Sequence, residues 1–307
     1  MTKWRFSPRA RAANGGTTGE VRLEAGEYRL LRDLVSERLG IWFGPESRTS
    51  LERRLRERLV VHGLSSYGDY YQLLKYGPSS SSEWDEASEI LTTHETYFFR
   101  EDYQLRAFRD EVLPRIAESR TRGQQKLHVW SAGCSTGEEA YTIAILILES
   151  GLFQGWDVRV YGSDVSKRCI AAARRGVYGP TSFRAIPKDT HERWFSAAPG
   201  PRTPAYVVSS QVRALCHFGQ MNLLDEERTH LVGRTDVIFC RNVILYFDAA
   251  ARRRVIDMFY ERLLPGGVLL LGHAESLLNV STAFELLHLK EDLVYRKPLA
   301  ALGAPAR

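Results

Sequence analysis

Leu127-His128-Val129-Trp130-Ser131-Ala132-Gly133-Cys134-Ser135-Thr136-Gly137-Glu138-Glu139 runs from an apolar stretch through small residues into a very apolar segment of helical period, 138–149. The change of period predicts a strand over 127–130, a tight turn and a helix. Further strands are expected at 158–162, 237–240 and 268–272, with helices at 103–120, 167–175 and 250–264 between and around them. Strands alternating with helices define an α/β domain with a parallel sheet. Two last strands, near 284–289 and 293–296, flank Lys290-Glu291-Asp292, so an antiparallel edge is expected.

The turn itself speaks to ligand chemistry. Small residues let a ligand approach the backbone, and a helix N-terminus offers free N–H groups. No Gly-Lys-Ser/Thr follows, which excludes a Walker loop, and the pattern is not GxGxxG. Glu138-Glu139 stand where a phosphate would bind, so a cationic cofactor such as S-adenosylmethionine (SAM) suits the site better. Asp164 ends the next strand, where an acid commonly holds ribose hydroxyls, although an N-cap role for the following helix fits equally well. Arg241, Asn242 and Tyr246, in Cys240-Arg241-Asn242-Val243-Ile244-Leu245-Tyr246-Phe247, follow a later strand and should share the same crevice, with core packing as the plainer alternative for Tyr246. At the junction with the N-terminal region stands Thr92-Thr93-His94-Glu95-Thr96-Tyr97-Phe98-Phe99-Arg100, whose phenylalanines also read as plain core.

Before the junction the pattern is helical from about residue 20 to 90. Leu30, Leu31, Leu34, Val35 and Leu39 recur at helical spacing before Gly40, and Leu51, Leu55 and Leu59 form a second stripe. The expected organisation is a flexible basic tail over 1–20 (or a cleaved transit peptide), a small all-helical domain over 21–92 and the α/β domain over 93–307. Residues 176–220, broken by prolines, are too long for an ordinary connection and read as a small β-rich insertion, with strands at 206–209 and 214–218 joined through Ser209-Ser210-Gln211.

The 307 residues are 44% hydrophobic and 26% charged, which excludes wholesale disorder and a coiled-coil rod. The most apolar stretch, 141–148, is shorter than the about 20 residues a bilayer requires. Cys134, Cys169, Cys216 and Cys240 show neither a CxxC pair nor metal-ligand spacing and read as reduced thiols of a cytoplasmic protein. The net charge of +5 favours acidic partners.

These strings, in this order, resemble the CheR family of chemotaxis-receptor methyltransferases over roughly residues 25–297. The resemblance implies a small helical N-terminal domain followed by a Rossmann-like SAM-dependent methyltransferase domain with a small β insertion. It implies methylation of glutamate carboxylates on the cytoplasmic helices of chemoreceptors, with SAM as cofactor and S-adenosylhomocysteine (SAH) as product. By position it places His94, Thr96, Arg100, Ala132, Gly133, Glu138, Asp164, Asn222, Leu223, Arg241 and Asn242 at the cofactor. Asp164 would hold its ribose, Asn222 and Leu223 would border its adenine, and Arg100 and Tyr246 would serve the transfer. His94 departs from the asparagine usual there.

Arg48, Arg53, Arg54, Arg56 and Arg58 on the second helix suit a Glu-rich receptor, with a solvated face as the alternative. The glycine-free Ser209-Ser210-Gln211 turn points to a member that does not use a receptor C-terminal peptide tether. The resemblance further implies a monomer without nucleic-acid binding or membrane insertion. A non-catalytic SAM-sensing scaffold of the same fold is the second reading. A nucleic-acid amino-methylating enzyme is disfavoured by the absence of an Asn/Asp-Pro-Pro-Tyr motif.

Overall fold

The computed structural model of the chain describes residues 21–121, 123–199 and 204–299; the basic tail expected over 1–20 lies outside the described residues. The first four helices are α1 (Ala25–Leu39), α2 (Arg48–His62), α3 (Tyr67–Tyr76) and α4 (Ser80–Leu91). Helices α1 and α2 stop at Gly40 and Gly63, and the Ser66 hydroxyl caps α3 by accepting from the Asp69 N–H at 3.0 Å. Leu31, Val35, Leu51, Leu55, Tyr67, Tyr70, Leu74 and Ala87 pack into one buried cluster, so the predicted stripes are the core faces of these helices, except for Leu30, which is exposed.

One charge lies inside this helical unit. The Glu83 side chain is 3% exposed and accepts from Arg58 through both carboxylate oxygens (2.8 and 2.7 Å), from the Tyr70 hydroxyl at 2.7 Å and from His62 at 2.6 Å. Burial pushes its carboxyl up, but the bonds from Arg58, Tyr70 and His62 outweigh that and hold it below the usual glutamate value. Stabilisation from such a group is complete above the unfolded pKa of about 4.3 and is lost as the pH falls through the depressed folded value. Glu83→Gln is therefore expected to cost about 1.5–3 kcal/mol at neutral pH. The deficit should shrink on acidification, a difference that urea unfolding across the acid range measures.

The same contacts correct the five-arginine surface. Arg58 is consumed by Glu83, and Arg54 donates to the carbonyls of Ile90 and Leu91 at 3.1 and 2.9 Å. Arg48, Arg53 and Arg56 remain on the exposed face, Arg56 with Glu52 at 3.1 Å.

The α/β part begins with α5 (Asp102–Ala107), which continues through a π-helical turn at Phe108–Val112 into α6 (Leu113–Ser119). Then follow β1 (Lys126–Ala132), α7 (Glu138–Ser150), β2 (Asp157–Asp164), α8 (Lys167–Arg175), β3 (Val177–Tyr178), α9 (Lys188–Trp194), β4 (Phe195–Ala197), β5 (Tyr206–Val208), α10 (Ser210–Leu215) and β6 (Cys216–Gln220). The chain continues with α11 (Glu226–Thr229), β7 (Thr235–Cys240), α12 (Ala249–Arg262), β8 (Leu263–Leu271), β9 (Glu285–His288) and β10 (Leu293–Arg296). The main sheet runs β6-β2-β1-β7-β8-β10-β9, parallel except where β10 pairs antiparallel with β8 and β9. Strand β7 is buried at every residue, as a strand covered on both faces must be, and α7 is apolar nearly all round because it lies in that cover.

The insertion differs from expectation. Its sheet is β3-β5-β4, and Ser209 opens helix α10, capping it through an acceptor bond from the Val212 N–H. The predicted strand at 214–218 corresponds to β6, which pairs with β2 as an edge of the main sheet. The Ser209-Ser210-Gln211 stretch is thus no hairpin turn, and the inference drawn from its lack of glycine falls with it. Phe98 anchors the insertion: its ring lies 4.8–5.2 Å from those of Tyr178, Phe183 and Phe195, and its N–H donates to the Ser182 carbonyl at 2.9 Å.

The helical unit closes over the C-terminal ends of the strands. The Trp42 N–H donates to the Tyr246 carbonyl at 2.8 Å and the Asp248 N–H to the Gly40 carbonyl at 3.0 Å. Across the crevice, Glu89 accepts from the Ser166 hydroxyl at 2.6 Å and the Arg168 N–H at 3.0 Å. Among the described residues no helix is long and apolar enough to cross a membrane.

Candidate cofactor and methyl-transfer site

Sheet order reverses between β1 and β7, and a crevice opens there beyond the strand ends, as in other open α/β sheets. Gly133 turns the chain at φ +83°, and a Cβ there would lie 2.4 Å from a Val243 methyl. Only glycine fits both the left-handed backbone and the closeness of the facing loop. Two residues further on, the Ser135 N–H donates to one Asp164 carboxylate oxygen at 2.8 Å, and the Ser166 N–H donates to the other at 2.9 Å. The N-cap of α8 is Ser166, whose hydroxyl accepts from the Cys169 N–H. Asp164 therefore clasps two turns at the edge of the crevice. Burial pushes its carboxyl up, against the two backbone donors and His94.

Arg241, at the end of β7, is almost wholly buried. It donates to Gln104 Oε1 at 2.7 Å and the Arg100 carbonyl at 2.6 Å, and it pairs with Glu139 at 3.3 Å and Glu101 at 3.2 Å. Burial pushes the Glu139 carboxyl up, with Arg241 opposing it. Burial also raises Glu101, but Arg241 and Asn242 outweigh it and hold that carboxyl low. The guanidinium of Arg241 is thus committed to the frame of the site. Arg100 keeps its charge at the mouth: it donates to the Glu95 carbonyl at 3.0 Å and approaches Glu101 only at 3.8 Å.

The loop after β7 is held by a residue that sequence reasoning missed. Glu275 accepts four backbone N–H groups, from Asn242 and Gly272 on one oxygen (2.8 and 2.7 Å) and from Val243 and Leu245 on the other (2.8 and 3.1 Å). Its only signal in sequence is a lone acid just past the end of an apolar strand, in Gly272-His273-Ala274-Glu275. Asn242 within this loop has φ +59°, and Phe99, Glu101 and Ser135 nearby are also left-handed, so backbone strain gathers around the crevice.

His94, Thr96, Arg100, Gly133, Asp164, Asn222, Leu223, Arg241, Asn242 and Tyr246 all line this one cavity of about 320 Å³. Two predicted residues do not. Ala132 is buried at the end of β1, and Glu138 turns away to the hydroxyls of Thr136 at 2.6 Å and Ser182 at 2.9 Å, beneath the insertion. Glu139 is the acid that faces the crevice. The side chain of Asn222 is a clip, donating to the Arg38 carbonyl at 2.7 Å and accepting from the Leu224 N–H at 3.0 Å. The helical unit adds Ile41, Trp42, Phe43 and Arg54 to the walls, which no local motif announced.

His94 lies at the floor. Its Nε2 faces the Glu89 carbonyl at 3.2 Å and the Thr92 hydroxyl oxygen at 3.0 Å, while Nδ1 faces the Cys169 sulfur at 3.3 Å. A carbonyl only accepts, so Nε2 carries the proton and Nδ1 presents its lone pair to the thiol. Burial pushes the Cys169 thiol up to about 11, so the sulfur is the donor of that pair.

A mostly parallel sheet with an antiparallel strand set between its last two partners, and a crevice without any phosphate loop, is the architecture of Rossmann-like SAM-dependent methyltransferases. The family model described as the CheR methyltransferase SAM-binding domain matches residues 94–293, and that of the CheR all-alpha domain matches residues 26–92. Chemotaxis protein methyltransferase 2 of Vibrio cholerae is 33% identical over 91% of this chain and 95% of its own length. The chemotaxis protein methyltransferase of Escherichia coli is 31% identical over 88% and 91%. The chain belongs to the CheR methyltransferase family.

The cofactor is SAM, and the residues present fit it. The buried Asp164 carboxylate can take ribose hydroxyls, Met221 and Leu223 give an apolar wall for a base, and Gly133 lines the cavity at the turn.

Proposed function

We propose that the chain methylates glutamate carboxylates on the cytoplasmic helices of chemoreceptors, as part of chemotactic adaptation. SAM supplies an electrophilic methyl group on a sulfonium. The observation that carries the reading is the partnering of the arginines in the crevice. Glu101 and Glu139 are held by the buried Arg241. Arg100 and Arg54 line the same cavity with hydrogen bonds to backbone carbonyls rather than to carboxylates, so an incoming carboxylate meets two guanidiniums that can still take an anionic partner.

A glutamate side chain has a pKa of about 4.3 and arrives ionised, so no general base is needed. What remains is alignment and exclusion of water. Arg100 orients the carboxylate through charge-assisted hydrogen bonds without burying it in a tight pair, which would blunt its nucleophilicity. Tyr246, 40% exposed and lining the cavity, stands beside the transfer. Trp42 and Phe43 shield the cavity from the helical side. The names of the relatives, chemotaxis protein methyltransferases, support this assignment.

The test is incubation with methyl-labelled SAM and a chemoreceptor cytoplasmic fragment, followed by mild alkali. Ester label released as methanol supports the reading; alkali-stable label overturns the carboxylate assignment. Arg100→Ala should lower kcat about 100-fold, the order expected when positioning of a reactant is lost. Unchanged turnover would remove Arg100 from the mechanism.

Recognition of an acidic receptor helix falls to the exposed Arg48, Arg53 and Arg56. Receptor KM should therefore rise steeply with salt, because exposed charges are screened within about 10 Å at 0.1 M. Arg53→Glu should raise KM while leaving kcat nearly unchanged. A flat salt response would return these arginines to the role of a solvated face.

A further inference from the structure

The floor of the crevice holds three donor atoms of a kind that the cofactor reading does not need together. A ring nitrogen of His94, a carboxylate oxygen of Asp164 and the Cys169 sulfur all lie within 4.8 Å of one another. No sequence spacing announced them, since they come from the domain junction, the end of β2 and the first turn of α8.

Two of the donors are already held as metal ligands would be. Histidine ligands usually donate their other ring N–H to a carbonyl or carboxylate, which fixes the tautomer and aims the free nitrogen. Here Nε2 donates towards the Glu89 carbonyl at 3.2 Å, leaving Nδ1 free. Asp164 is held by the Ser135 and Ser166 N–H groups. The sulfur and Nδ1 are 3.3 Å apart. A tetrahedral zinc with Zn–S of about 2.3 Å and Zn–N of about 2.0 Å sets that edge at about 3.5 Å, an adjustment of about 0.2 Å. Imidazole, thiolate and carboxylate together select a borderline-soft divalent ion rather than magnesium or calcium.

We propose that His94, Asp164 and Cys169 form a binding site for Zn²⁺ or a similar soft divalent cation, and that the metal and SAM exclude one another because both require Asp164. The second half rests on the reading of Asp164 as the ribose-holding residue. On binding, the Cys169 S–H bond breaks, its proton leaves to solvent and a sulfur–metal bond forms. His94 and Asp164 face the cavity, so an ion can enter and its fourth position stays open to water. Methyl transfer would then be shut off by free zinc without any change in the receptor.

The test uses the full-length reduced protein. Titration with Co²⁺ should give a thiolate-to-cobalt charge-transfer band that zinc abolishes. Cys169→Ser and His94→Ala should lose the band, while Cys216→Ser should keep it. SAH affinity is measured by calorimetry on the wild type with and without zinc. Zinc at about 100 times its own dissociation constant should weaken SAH about 100-fold if the two are mutually exclusive. No band in the wild type, a band that survives Cys169→Ser, or SAH affinity indifferent to saturating zinc would each overturn the proposal. The wild-type competition stands even if a variant fails to fold. A metal band in a chain that binds no SAH with or without zinc would uphold the metal site and count against the cofactor reading of Asp164 instead.

Discussion

Arg241→Ala should lower the unfolding free energy by about 3–5 kcal/mol, the cost of removing one partner of a buried ionic network. The size follows from what is left behind. Arg241 holds Glu139 and Glu101, and it satisfies Gln104 Oε1 and the Arg100 carbonyl. Without it Glu139 keeps, among the described residues, the Ser131 hydroxyl at 2.7 Å as its hydrogen-bond partner in a partly buried setting. Its carboxyl is already above the ordinary range because of burial, and losing Arg241 would raise it further. A carboxyl whose folded pKa exceeds its unfolded value binds its proton more readily when folded. Stability of the variant therefore falls as the pH rises from the unfolded value of about 4.3 through the raised folded value. The deficit should be largest at neutral pH and smaller in acid. Adding Glu139→Gln should recover part of the loss, since a neutral side chain no longer needs a counter-charge. Urea unfolding of the single and double variants at two pH values checks both claims. An Arg241→Ala protein as stable as wild type at neutral pH would mean that the network is solvated rather than buried.

Legibility in the sequence tracked how local the physics is. The turn at Gly133, the acid ending β2 and the polar string after β7 were readable because strand, turn and helix signals sit next to each other in the chain. The same signals predicted the parallel sheet and its antiparallel edge. Strand β6 was misassigned because five residues without clean alternation carry no information on which sheet they join. The arginines of α2 were misread for a geometric reason. Arg54 and Arg58 each precede a core leucine by one residue, about 100° around the helix, so they flank the buried stripe. Helix α4 then decides their fate, through Glu83 and the carbonyls of Ile90 and Leu91. Glu138 and Glu139, adjacent in sequence, point to different neighbours for the same reason: one helical step separates the insertion from the crevice. Glu275 stayed hidden because its four partners are backbone N–H groups, 30–33 residues away for the three in the loop, and backbone donors leave no mark in side-chain identity.

That invisibility makes Glu275 the sharper test of how the site is held. Glu275→Gln keeps the shape but exchanges one acceptor oxygen for an NH₂ group. Whichever way the amide turns, two of the four backbone donors lose their acceptor, either Asn242 with Gly272 or Val243 with Leu245. Each unmade bond costs about 1–3 kcal/mol when shielded from water, and these are partly shielded, so a loss of about 2–4 kcal/mol in stability is expected. Stability alone would not separate a scaffold residue from one that sets the site. The loop carries Arg241, Asn242 and Tyr246, and Asn242 is held at φ +59°, a conformation that persists only while its surroundings enforce it. Once released, the loop should relax by enough to displace Tyr246, and a displacement of about 1 Å at a reacting centre can cost about 100-fold in rate. The expected result, with the protein well below its Tm, is a kcat reduced about 100-fold, a receptor KM within a few-fold of wild type, and weakened SAH binding. The receptor KM is spared if receptor binding falls, as proposed, to Arg48, Arg53 and Arg56, which belong to α2 and not to the loop. Glu285→Gln, which breaks an exposed pair with Arg296, should change neither rate nor stability appreciably. If Glu275→Gln lowers Tm while the folded enzyme turns over at the wild-type rate, the loop keeps its shape without the carboxylate. The positioning would then have to come from the Arg241 network alone.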